Sequence, residues 1–83
     1  MFAIRDPSIE AIRDIVSTRT GAKFRFGSNR KTVIVDLFTA SAIVQVYDLV
    51  TEPNKEKMAR MVRTAVGLAN VSSFSLRQMR MGL

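Results

Sequence analysis

Apolar residues change their spacing several times along the chain, and each change marks an element. Ile9, Ala11, Ile12, Ile15 and Val16 recur at helical spacing, which predicts a helix over residues 7–20. Asp6-Pro7 would start it, with the Asp as cap and the Pro at the first helical position, where a missing N–H costs nothing. Gly21 would end it in the left-handed conformation. At Lys23-Phe24-Arg25-Phe26 the period falls to two, so a strand there puts both rings on one face and both cations on the other. Gly27-Ser28-Asn29-Arg30 reads as a turn, and the β-branched run from Thr32 to Phe38 supplies a partner. Residues 22–37 therefore predict an antiparallel hairpin, with Phe24 and Phe26 in the core.

Helical spacing returns at Ile43, Val46, Tyr47 and Val50, which predicts a helix over 40–51 capped by Thr39 or Ser41. Pro53, preceded by Thr51 and Glu52, restarts a helix over 53–66. Its apolar stripe is Met58, Met61, Val62, Ala65 and Val66, and the methionines are read as gap-filling core residues. Lys55, Glu56, Lys57, Arg60 and Arg63 take the other faces, with Glu56 and Arg60 placed for an i, i+4 pair. Gly67 either ends this helix or is carried within it. Residues 68–79 are read as a further helix, the competing arrangement being a third strand returning over Ser72 to Met79. Together these elements specify a helix-dominant α+β fold in one small domain: an N-terminal helix, a β-hairpin, then two or three helices covering one face of the hairpin.

Two strands alone are marginal in water and leave open edges. Thr32, Ile34 and Phe38 fall on the strand face opposite Val33, Val35 and Leu37, so helices packed on the second set would expose the first. The expected consequence is a homo-oligomer, most simply a two-fold dimer burying Ile34 and Phe38.

Charge narrows the functional classes. Thirteen Lys and Arg stand against seven Asp and Glu, a formal net charge of +6. Residues 1–20 are balanced, whereas residues 51–83 carry six cations against Glu52 and Glu56 alone. A basic chain attracts phosphate backbones or acidic protein surfaces, so the expected partners are RNA or DNA, or an acidic host protein. The candidate nucleic-acid-binding residues are Lys23, Arg25, Arg30 and Lys31 around the hairpin turn, with Lys57, Arg60 and Arg63 as a second group.

Catalysis is poorly provided for. There is no histidine and no cysteine, which removes the usual base near neutral pH, the thiol nucleophile and the commonest metal ligands. The glycines at 21, 27, 67 and 82 stand alone, so neither a P-loop nor a dinucleotide fingerprint can be drawn. Asp36 and Asp48 are the carboxylates nearest the apolar centre, and they are read as structural. The expectation is a non-catalytic protein with no cofactor and no metal. Charged residues interrupt Met1 to Val16, and no apolar run approaches the ~18 residues of a membrane span, so a soluble, cytoplasmic chain is expected.

Two resemblances add to this reading. The stretch Ile9 to Val50, with I-E-A-I-R-D-I-V-S-T-R-T-G-A-K-F-R-F and then T-V-I-V-D before a helix, is similar to the later half of a KH domain. That resemblance implies RNA binding. The place of the KH domain's Gly-x-x-Gly loop holds Arg5-Asp6-Pro7-Ser8 here. The stretch Val35 to Phe74, carried by T-A-S-A-I-V-Q-V-Y-D-L-V, N-K-E-K-M-A-R-M-V and Phe74, resembles a family of small uncharacterised proteins of tailed phages, marine ones included. It implies a phage origin, with the host cytoplasm as the place of action.

Overall fold

The computed structural model describes residues 3–26 and 31–80. Its elements are β1 (Ala3–Arg5), α1 (Ile9–Thr18), β2 (Ala22–Phe26), β3 (Lys31–Val35), α2 (Leu37–Leu49), α3 (Glu52–Met61) and α4 (Ala65–Arg80). The helix-dominant α+β architecture expected from the sequence is the one observed. The sheet, however, holds three strands in the order β1-β2-β3, with β2 central. β1 lies parallel to β2, pairing Ala3 with Ala22 and Arg5 with Phe24, while β3 runs antiparallel, pairing Ala22 with Val35 and Phe24 with Val33. The third strand thus comes from the N-terminus, through a β1-α1-β2 crossover. Ser72 to Met79 belongs to α4 and is no strand.

Alternation along β2 sorts the sheet into two faces. Ala22, Phe24 and Phe26 are buried and join one core cluster with Ile9, Ile12 and Ile15 of α1, Ile43 and Val46 of α2, and Met58, Val62, Leu68 and Val71 further on. Burying side chains of this size stabilises by about 1.5–3 kcal/mol each, which is why the apolar stripes of the helices converge on one face of the sheet. α2 occupies the middle of the helical layer, packing most extensively on α4 and α1, and α3 packs on α4.

Several element ends differ from the sequence reading, each for a local reason. Ser8 caps α1, its Oγ accepting the Ala11 N–H at 3.0 Å, so the helix starts later than Asp6-Pro7 suggests. Arg19 takes the left-handed conformation (φ 57°) at the end of α1, the role expected of Gly21. β3 stops at Val35, and Asp36 caps α2 by accepting the Thr39 N–H at 2.8 Å. Neither Thr39 nor Ser41 is the cap. Phe38 consequently lies in the first turn of α2 and shares no strand face with Ile34. Thr51 takes the cap position of α3, with Pro53 in its first turn as expected. The predicted helix over 53–66 breaks after Met61, and Thr64 restarts the chain by accepting the Gly67 N–H at 3.0 Å. Gly67 therefore lies near the beginning of α4.

The Asp36 cap supports a pH prediction. Hydrogen bonds to its carboxylate, first from the Thr39 backbone, hold the Asp36 pKa below its ordinary value. A depressed acid contributes stability that is whole above the unfolded value, near 3.9, and is lost as pH falls through the folded one. Asp36→Ala is expected to cost about 1 kcal/mol at pH 7, the typical worth of an N-cap. The difference between variant and parent should shrink from about pH 7 to about pH 2 as the carboxylate is protonated. Paired urea melts at the two pH values measure it, and a difference that persists undiminished in acid would rule out the carboxylate as its source.

Candidate functional site

The sheet face turned away from the helices is open. Register places Ile4, Lys23 and Ile34 side by side across β1, β2 and β3, and Arg25 beside Thr32 in the next row. Ile4 and Ile34 are 56% and 55% exposed, unlike the buried residues of the opposite face. Lys23 is half-buried between these isoleucines, whereas Arg25 is exposed. The cations of this face therefore form a ridge on the central strand, flanked by apolar side chains. The paired strand residues of this face, Ile4, Lys23, Arg25, Thr32 and Ile34, include no carboxylate.

The other predicted cations are distributed elsewhere. Lys31 opens β3 opposite Phe26 in the register, and Arg30 lies outside the described residues. Arg60 and Arg63 border a recess of about 240 Å³ with Ser8, Glu10 and Tyr47. Lys57, one turn earlier, borders a different groove between α3 and α4. The second group is thus divided between two sides of α3.

Tyr47 sits amid cations that sequence spacing did not bring together. Arg13 Cζ and Lys55 Nζ stand 5.5 and 5.8 Å from its ring centroid, within cation–π range. Arg13 also donates to the Asp48 carboxylate at 2.5 Å, joining α1 to α2, and this bond raises the guanidinium pKa. Asp48 is therefore committed to an ion pair, as a structural carboxylate would be. Lys55 lies 3.6 Å from Glu52. Arg13 thus pairs with Asp48, and Lys55 pairs with Glu52, where the sequence suggested a Glu56–Arg60 pair. Such exposed pairs contribute little individually. Nothing in the sequence marks Ile4, because three residues of strand are too short to display alternation.

Among the described residues no group of three His, Cys, Asp or Glu side chains could hold a metal ion. No helix among them is long and apolar enough to cross a membrane. No family model matches the chain, and neither does any curated protein or solved structure.

Proposed function

We propose that this protein acts by binding nucleic acid rather than by catalysis, holding phosphates on the open face of its sheet. The observation that supports this reading is the ridge of Lys23 and Arg25 on the central strand, in a chain of net charge +6. Successive same-face positions on a strand are about 7 Å apart, so the two side chains can engage separate phosphate groups. Phe24 and Phe26 are sequestered in the core and cannot serve as stacking platforms. Backbone charge therefore dominates over base recognition, and binding is salt-dependent and broadly tolerant of sequence. A phage origin would place this activity in the host cytoplasm.

The test is a salt titration of binding to a fluorescent oligonucleotide. Lys23→Glu/Arg25→Glu should weaken binding on all sequences and flatten the slope of log K against log salt by about two units, one per lost contact. Undiminished binding in that variant would overturn the assignment to this face.

A second reading, a homo-oligomer without a nucleic-acid role, is favoured by the exposure of Ile4 and Ile34 on one face and of Phe38 on α2. A two-fold pairing of open faces would set the Lys23–Arg25 ridge against its own copy, and like charges brought together without counter-charges oppose association. An anionic partner suits that face better than a second copy does. Light scattering after size exclusion distinguishes the readings, with a mass near 9.3 kDa expected for the binding protein. Twice that mass, reduced to the monomer value by Ile34→Asp, would establish the oligomer.

A further inference from the structure

We infer that the groove between α3 and α4 is a docking site for an acidic amphipathic helix of a partner protein. The groove encloses about 370 Å³. α3 lines it with Asn54, Lys57, Met58 and Met61, spaced i, i+3, i+4 and i+7 along about 10 Å of helix. α4 faces these residues with Val71 and Phe74. Phe74 is a large ring left 46% exposed. Met58, part of the buried core, forms its floor, half-buried Met61 beside the exposed ring makes an adaptable apolar wall, and a trough between two helices is the shape that receives a third.

Charge specifies the occupant. No Asp or Glu follows Glu56 in the sequence, and of the cations that do, Arg60 and Arg63 border the recess on the other side of α3. Lys57 is the ionised side chain on the groove wall, and α4 carries no acid along its length. A helix with an apolar stripe for the groove and carboxylates on its flanks is therefore complementary, and a basic one is repelled. A second copy of this chain fits poorly. Its own acidic amphipathic helix is α1, whose apolar stripe of Ile9, Ile12 and Ile15 is already buried.

This surface is separate from the sheet face, so the two assignments can fail independently. The probe is a labelled synthetic peptide of about four helical turns, with Leu at i, i+3, i+4 and i+7 and Glu at the outward positions. A twin with Lys in place of Glu is the control. Fluorescence anisotropy should show the acidic peptide binding at least about tenfold tighter than its twin. Lys57→Glu and Phe74→Ala should each weaken it about tenfold, the effect of losing an interface anchor, whereas Lys23→Glu/Arg25→Glu should not. Lys57 is exposed, so Lys57→Glu keeps the test decisive should Phe74→Ala perturb folding. Equal binding of the twin, indifference to both groove variants, or no binding of either peptide up to about 100 μM, a weak-interface affinity, would overturn the inference. Displacement of the peptide by duplex oligonucleotide would also overturn it, by assigning the groove to nucleic acid.

Discussion

Phe24→Ala is expected to lower the urea midpoint of unfolding sharply. Phe24 is fully buried on the central strand, between Arg5 of β1 and Val33 of β3 in the register. Truncating a buried Phe to Ala costs about 3–5 kcal/mol, from lost transfer energy and the cavity left behind. A chain of 83 residues has roughly 4–12 kcal/mol of stability in total, at about 0.05–0.15 kcal/mol per residue. The substitution therefore removes a large share of it. Urea denaturation followed by circular dichroism measures the loss, and a decrease below about 1 kcal/mol would show that Phe24 does not anchor the core.

Gly67→Ala is expected to destabilise by about 2–3 kcal/mol, the range for overpacking against an unyielding neighbour. Propensity alone argues the opposite, since Ala in a helix is favoured over Gly by about 0.5–1 kcal/mol. Space decides the sign. A Cβ on Gly67 would lie 2.7 Å from the Met61 carbonyl carbon and 2.7 Å from Thr64 Oγ1, and would overlap the Met61 carbonyl oxygen. Backbone cannot rotate away as a side chain can, so relief requires opening the turn at 62–64 and separating α3 from α4. A thermal midpoint equal to or above the parent's would show that the turn yields at little cost.

These two residues illustrate what a sequence discloses. Phe24 was readable as core because alternation with Lys23 and Arg25 is a local pattern, and the same alternation located the cationic ridge. Gly67 was ambiguous because glycine both ends helices and permits close approach, and only the position of the Met61 carbonyl separates the two roles. β1 carries no local signature in the sequence, for two reasons. Ala3–Arg5 is three residues long, and its partner strand lies beyond α1. The boundary at Asp36 is hidden because the cap of α2 follows β3 directly, and the apolar run through Leu37 and Phe38 suggests continued strand. Arg13–Asp48 and the cations around Tyr47 are tertiary neighbours, and no spacing rule relates them. Ser75 is fully buried although serine is usually exposed, and no local pattern marks it.

The short parallel strand β1 acts as a guard on its neighbour. Without it, β2 would present an unpaired edge of five residues, Ala22–Phe26, in which two phenylalanines alternate with cations. Such an edge is a template on which another chain can add a strand. Because β1 is held by three residues at the far end of the crossover, it is the strand whose release requires the least unfolding. Fraying at Ala3–Arg5 would uncover the edge of β2 to pairing with another chain, and the exposed ion pair between Arg5 and Asp14 of α1 adds only weakly to holding β1 in place.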